Sequence, residues 1–188
     1  VLEPQYVERM VSLFDQYPCV AAIGSNAYII RGSELTSEKF MGFYSENKLI
    51  SKPLDILESY LSIETTAPAP FPGYMYRTKF IKKIKLEFKK GGKHADVSFL
   101  MEVISSASIL WVSDCLFRYR YHDSNDSKKE SIGNRLSWLR YIYKTTELSR
   151  KSRIVTDFKF IYWWRWLNEV GPLFSFNGIK LLFCSRRY

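Results

Sequence analysis

Apolar residues recur three and four positions apart over residues 4–17, which predicts an amphipathic first helix between Pro4 and Pro18. The near-continuous apolar run 19–30 follows it and contains several β-branched residues. Such a run predicts a strand that is buried on both faces, as in a parallel or mixed sheet. A helix followed by a buried strand indicates an α/β layer architecture.

The middle of the chain alternates between polar and periodic segments. Residues 31–52 are polar and predict a loop, and residues 53–63 return to helical periodicity. Three prolines and a glycine within 65–73 exclude a regular helix or a central strand there. This extended segment either lines a pocket or is a plain surface connection.

Two further helices are predicted before the last strand region. Lys79 to Phe88 predicts a basic helix with Thr78 as its N-cap, and Gly91-Gly92 ends that region. Asp96 opens a second helix with an apolar side. The aromatic and β-branched run 109–121 predicts one or two strands, and residues 122–127 form a sharp polar break.

The remaining third of the chain predicts helices at 132–148 and 154–170 and a short apolar piece at 174–183. We therefore divide the chain into residues 1–127, an α/β unit, and residues 128–188, a helical extension. The fold class expected is α/β, with a mixed sheet flanked by helices.

The composition of the chain excludes several classes of protein. Hydrophobic residues make up 46% of the chain and charged residues 25%, which excludes disorder as the main state. The three cysteines are far apart and favour a reducing compartment over a disulfide framework or a zinc site. No signal-peptide pattern or run of eighteen apolar residues occurs, so a cytoplasmic location is expected.

The formal net charge of +9 is unevenly distributed. Residues 1–127 contain 15 basic and 15 acidic side chains, and residues 128–188 contain 13 basic and 4 acidic side chains. The excess therefore belongs to the extension. A charge of this size predicts an anionic partner such as a phosphorylated ligand, a lipid surface or nucleic acid.

Asp96 and His122 are the candidates for chemistry. Asp96 follows a glycine-rich break and heads a helix, where a carboxylate also has the ordinary role of satisfying free backbone N–H groups. His122 ends a predicted strand and is followed by Ser124 and Ser127. Ligands tend to bind at such strand ends in α/β sheets.

Residues 71–127 resemble the acceptor-side half of the inverting family 2 glycosyltransferases, which have the GT-A fold. The segments that carry the resemblance are Tyr76-Arg77, His94-Ala95-Asp96 with its helix, the strand beginning at Ile109, and 119–127. The last of these reads Tyr-Arg-Tyr-His-Asp-Ser-Asn-Asp-Ser and fits the family pattern Tyr-Arg-x-His-x-x-Ser-x-Ser. Residues 1–30 resemble the segment that comes after the family's metal-binding Asp-x-Asp.

The resemblance implies a role for each matched residue. Asp96 would be the general base that removes the proton from an acceptor hydroxyl, and His122 would help hold a divalent ion, Mg²⁺ or Mn²⁺, at the leaving diphosphate. The substrate-binding residues implied by the resemblance are Tyr76, Arg77, His94, Arg120, Ser124 and Ser127.

Two features depart from the family. The glutamate that commonly precedes the base is Ala95 here. No nucleotide-binding strand and no Asp-x-Asp precede the matched region, so we expect a partial GT-A-like domain that does not transfer sugar as an isolated chain.

Residues 154–188 interleave aromatic residues with lysine and arginine, a combination suited to the headgroup boundary of a membrane. Packing of these aromatic residues on the catalytic domain or a partner is the alternative. Nucleic acid is the least favoured partner, since no nucleic-acid motif accompanies the charge.

These observations predict a peripheral enzyme at the inner face of the cell membrane. It would transfer a sugar, with inversion, from a nucleotide sugar to a glycan or lipid-linked acceptor in cell-envelope polysaccharide biosynthesis. The alternative is a non-catalytic basic module that binds a membrane surface or a partner protein.

Overall fold

Two long strands form the centre of a mixed sheet that helices flank. The computed structural model describes residues 1–41, 46–61 and 68–121 and, beyond them, residues 134, 137, 138 and 140–142. In chain order the elements are α1 (Tyr6–Gln16), β1 (Ala22–Arg31), β2 (Glu34–Lys39), β3 (Lys48–Ile50), α2 (Pro53–Leu61), β4 (Tyr74–Tyr76), α3 (Thr78–Ile81), α4 (Ala95–Ser106) and β5 (Ile109–Tyr121).

β1 and β5 pair in parallel along their whole length, from Ala22 opposite Ile109 to Arg31 opposite Tyr121. Both are rich in apolar and β-branched residues, which accounts for the burial of their first halves. β3 pairs antiparallel with the start of β5. β2 and β4 pair antiparallel with opposite ends of β1, and they share the edge of β1 that β5 leaves open.

α1 covers one face of the sheet. Its buried side chains, Tyr6, Met10, Leu13 and Phe14, recur at helical spacing. They pack with Ile23 of β1 and with Leu110, Val112 and Leu116 of β5 in one apolar cluster. Val7 and Val11 are on the solvent side of the same helix.

α4 lies on the opposite face of β4 from α1. Met75 packs against the α1 cluster, whereas the ring of Tyr76 meets Phe99 of α4 edge-on, with the ring centroids 5.5 Å apart. Successive residues of a strand point to opposite faces, so this pair of contacts separates the two helices. α2 packs beside α4.

Part of the segment 31–52 forms strands rather than the predicted loop. A two-residue turn at Gly32-Ser33 joins β1 to β2, with Gly32 at φ +62°, a conformation that glycine adopts freely. β2 is exposed at nearly every position, so it has no apolar alternation to reveal it. The loop prediction was wrong for Glu34–Lys39 and Lys48–Ile50.

The predicted basic helix 79–88 was also wrong in length, since α3 ends at Ile81. A longer helix would place Lys79, Lys82 and Lys83 on one face, where like charges three and four residues apart repel. The following residues form turns as far as Gly91 and Gly92, whose φ values are +103° and +62°.

The described residues between 134 and 142 are helical, in agreement with the predicted helix 132–148. Trp138, Tyr141 and Ile142 are buried, and they belong to the compact unit Val1–Ser149. The predicted helix 154–170 and the aromatic piece after it lie outside the described residues. No helix among the described residues has the length and apolarity that crossing a bilayer requires.

Candidate active site

Asp96 is the second residue of α4, immediately after a tight turn. Gly91 and Gly92 adopt left-handed conformations and lead into a single 3₁₀ turn, Gly92–His94. His94 then occupies the N-cap position of α4, without a side-chain capping bond. The sequence prediction that a helix opens at this point is confirmed, with its first residue at Ala95.

The Asp96 carboxylate is largely enclosed and carries no ion pair within the described part of the chain. Its Oδ1 accepts a hydrogen bond of 2.8 Å from the backbone N–H of Val97. Burial raises the pKa of Asp96 above its usual range, and the bond from Val97 and the nearby His94 oppose that rise only in part. A carboxylate in this setting is a stronger proton acceptor than one in water.

Three tyrosines interact electrostatically with the Asp96 carboxylate. Burial raises the pKa values of Tyr74, Tyr76 and Tyr119, and the negative charge of Asp96 raises each of them further. All three phenols are therefore neutral at physiological pH and retain a proton to donate. Tyr74 and Tyr76 come from β4, and Tyr119 comes from the far end of β5.

The Tyr74 and Tyr76 hydroxyls differ in their hydrogen bonding. Tyr74 accepts a hydrogen bond of 2.6 Å from the indole Nε1 of Trp111, but the buried Tyr76 hydroxyl has no partner among the described residues. An unpaired buried hydroxyl is costly and often indicates a place where a ligand or water binds. This placement is compatible with the substrate-binding role predicted for Tyr76.

His94 lies in a buried aromatic cluster beside Asp96. Its Nδ1 is 2.7 Å from the Tyr60 hydroxyl, and its ring centroid is 5.3 Å from that of Trp138. The side chain is only 6% exposed. These contacts make His94 a support for the start of α4, in addition to the acceptor-site role that the resemblance implies.

Arg77 points away from the Asp96 side of the sheet. Its guanidinium lies over the Phe14 ring, 4.7 Å from the centroid, and donates a hydrogen bond to the Phe14 carbonyl. Arg77 follows Tyr76 directly, and alternation along an extended chain turns the two side chains to opposite faces. The resemblance places both residues in one binding site, whereas in the structure the Arg77 side chain contacts Phe14 of α1.

Arg120 is exposed on β5, where it lies opposite Ile30. It alternates with Tyr119 and Tyr121, whose rings lie 6.5 Å apart on one face. The structure therefore brings Tyr76, His94 and Tyr119 together with Asp96, and it directs Arg120 to the other face of the strand.

His122, Ser124 and Ser127 lie outside the described residues. β5 ends at Tyr121, and His122 follows it directly, three residues after Tyr119. Within the described residues no group of three or more His, Cys, Asp or Glu side chains could hold a metal ion. A ligand set for Mg²⁺ or Mn²⁺ is thus not completed by this part of the chain.

Tyr60, Trp138 and Tyr119 belong to the site but were not predicted as members of it. Tyr60 was one apolar position of a predicted helix, and Trp138 belonged to the predicted extension beyond residue 127. Trp138 is fully buried, and its ring also stacks on Tyr141 at 5.8 Å. Only Tyr119 had a usable signal, because it begins the Tyr-Arg-x-His pattern.

Comparison of the chain with models of known protein families and with curated proteins finds no match.

Proposed function

We propose that this chain is the acceptor-side half of an inverting glycosyltransferase with a GT-A-like fold, and that Asp96 is its general base. The observation that carries the proposal is the state of the Asp96 carboxylate. It is largely buried at the start of α4, it has a raised pKa, and it forms no ion pair with any described residue. A carboxylate that serves only stability is normally paired or exposed.

In the proposed reaction, a hydroxyl of the acceptor donates its hydrogen bond to Asp96. The hydroxyl oxygen forms a bond to the anomeric carbon of the donor while the bond from that carbon to the diphosphate oxygen breaks. The electron pair leaves with the diphosphate, and the proton moves to Asp96. Attack opposite the leaving group inverts the anomeric configuration.

The tyrosines near Asp96 would orient the acceptor. Neutral phenols can donate to or accept from sugar hydroxyls, and aromatic rings pack against the apolar faces of sugars. The unpartnered Tyr76 hydroxyl is the first candidate for such a contact, and Tyr119 also interacts electrostatically with Asp96. Ala95 leaves the position before the base without the second carboxylate of the family pattern.

A divalent ion at the diphosphate remains part of the proposal through His122, which follows β5 directly. A bound Mg²⁺ or Mn²⁺ would neutralise charge on the leaving group. We assign no step to this ion, since the described residues do not complete a ligand set for it. Arg120, Ser124 and Ser127 remain candidates for the diphosphate side.

The acceptor we propose is a glycan or a lipid-linked acceptor at the inner face of the cell membrane, as in polysaccharide biosynthesis for the cell envelope. The second candidate function is a non-catalytic module that binds a membrane surface or partner protein. The seven lysines within residues 79–93 favour its membrane form, and both functions can belong to one protein.

The test is a donor screen with the product of the whole reading frame that contains these residues. Purified protein is incubated with a panel of nucleotide sugars, Mg²⁺ or Mn²⁺ and a membrane extract as acceptor, and the released nucleoside diphosphate is measured. We expect turnover of one donor and a product whose anomeric configuration is inverted, as read by NMR. A product of retained configuration, or release by none of the donors, contradicts the proposal.

A further inference from the structure

The segment between β4 and α4 concentrates positive charge next to the candidate site. Residues 79–93, which we call the basic loop, contain seven lysines and one glutamate, a net charge of +6. The rest of residues 1–127 contains eight basic and fourteen acidic side chains, a net charge of −6. The zero total of residues 1–127 thus conceals one strongly cationic surface.

Most lysines of the basic loop are available to a partner. Lys82, Lys83, Lys85 and Lys89 are exposed, and none of them forms an ion pair with any residue that the structure describes. Lys90 differs, because its Nζ lies 3.2 Å from Glu87 and 3.0 Å from Glu102 of α4. Four unpaired cations within eight residues favour an anionic ligand.

Apolar side chains are exposed between these lysines. Phe88 is 74% exposed and Leu86 is 47% exposed, although both are large enough to contribute to a core. Exposed apolar groups surrounded by cations are typical of segments that enter the headgroup boundary of a membrane, where the ring meets acyl chains and the ammonium groups meet phosphates.

Both ends of the basic loop are fixed to the fold. At its start, the N–H of Lys82 bonds to the Thr78 carbonyl, 3.0 Å away. At its end, Lys90 pairs with Glu102 of α4, and the Lys90 carbonyl accepts a hydrogen bond from the Ser98 hydroxyl of the same helix. The lysines between these anchors are therefore presented from a defined position on the molecule, and binding would order few additional residues.

We propose that the basic loop binds the surface of a lipid bilayer that contains anionic headgroups. All seven cations are lysines, which act as point charges, whereas nucleic-acid recognition relies heavily on the planar arginine fork. Leu86 has no base-stacking role but suits acyl chains. The inference deepens the second candidate function, because it names the segment and the class of lipid, and it is independent of the catalytic proposal, since it depends on neither Asp96 nor residues 128–188.

The test is co-sedimentation of the full chain with vesicles of phosphatidylcholine alone, or with about a third of the lipid as phosphatidylserine. The variant K82Q/K83Q removes two loop charges, and the matched control K39Q/K52Q removes two exposed lysine charges elsewhere. At about fivefold per lysine, the loop variant should bind anionic vesicles roughly 25-fold more weakly than the wild type. The control should stay within about twofold.

Phe88→Ser separates the apolar contribution from the charge. This side chain is mostly exposed, so folding should be unaffected, and its loss should weaken the binding that persists at high salt. Asp96→Asn should bind vesicles like the wild type, which keeps a failure of this inference distinct from a failure of the catalytic proposal.

Equal binding by K82Q/K83Q and K39Q/K52Q would overturn the inference, because residues 128–188 are the same in both variants. The inference would also be overturned if the wild type bound vesicles of phosphatidylcholine alone as tightly as vesicles that contain phosphatidylserine. So would a loss of duplex DNA binding in K82Q/K83Q with vesicle binding unchanged, since the loop would then be a nucleic-acid surface.

Discussion

The hydroxyl of Tyr60 in α2 lies 2.7 Å from Nδ1 of His94, which occupies the N-cap position of α4, two positions before Asp96. This hydrogen bond connects the side of the molecule formed by α2 to the turn that positions the candidate base. The ring of Trp138, which is 44 positions further along the chain, packs against the same histidine. The geometry around Asp96 therefore depends on contacts that are distant in sequence.

Tyr60→Phe should lower the free energy of unfolding by about 1 kcal/mol, because it removes this hydrogen bond and keeps the ring. Urea denaturation followed by tryptophan fluorescence measures the change. Tyr17→Phe, at an exposed position, is the matched control and should change stability by less than about 0.5 kcal/mol. Equal effects of the two variants would show that the bond to His94 contributes nothing.

Gly91→Ala should destabilise the chain more than Gly32→Ala does. Both glycines have positive φ, so alanine is strained at either position. A Cβ on Gly91 would also lie 2.8 Å from the Trp138 ring, whereas nothing lies within 4 Å of a Cβ on Gly32. We expect the free energy of unfolding to fall by about 1–2 kcal/mol for Gly32→Ala and by about 2–4 kcal/mol for Gly91→Ala. Thermal unfolding of the two variants should therefore show the larger drop in melting temperature for Gly91→Ala.

Arg77→Met should destabilise the fold by about 2 kcal/mol, since it removes the cation over the Phe14 ring and the bond to the Phe14 carbonyl. Arg120→Met, at an exposed strand position, should have little effect on thermal unfolding. If Arg77→Met left the melting temperature unchanged and instead weakened substrate binding, the assignment of Arg77 to α1 would be wrong.

Asp96→Asn should raise the free energy of unfolding at neutral pH by about 0.5–2 kcal/mol, the range common for a single stabilising substitution. Asparagine keeps the bond from Val97 without burying a charge. Because the folded-state pKa of Asp96 is raised, its carboxyl favours folding at pH values below its unfolded pKa, and this contribution is lost as the pH rises through the folded pKa. The advantage of the variant should therefore shrink as the pH is lowered from about 7 towards about 4.

Thermal unfolding of the wild type and Asp96→Asn across that pH range measures this difference. Asp15→Asn, at an exposed position of α1, controls for the loss of one negative charge. A difference between wild type and Asp96→Asn that grows on acidification would contradict the raised pKa.

The central helices and strands were predictable because their patterns are local. Residues 4–17, 19–30, 53–63 and 109–121 have apolar spacings that match α1, β1, α2 and β5 closely. β2 was missed because an exposed edge strand has no apolar face, and α3 was overextended because periodicity does not register repulsion between neighbouring lysines.

The candidate site could be predicted only in part. Asp96 and Tyr76 were identified from the resemblance, and the structure places them within electrostatic range of each other. The resemblance also grouped Tyr76 with Arg77, although strand alternation separates their side chains. The support from Tyr60 and Trp138 arises from tertiary packing, which no single-sequence pattern encodes. The sequence identified residues 79–88 as basic, but the zero net charge of residues 1–127 concealed how much of the positive charge is concentrated there.

The most direct test of the proposed chemistry is the kinetics of Asp96→Asn in the product of the whole reading frame. With the donor found in the screen, we expect kcat to fall at least about 100-fold, because the base is lost, and the donor Kd to stay within about threefold. Asp15→Asn should match the wild type in both values. A kcat within about tenfold of the wild type, with donor binding intact, would contradict the assignment of Asp96 as the general base.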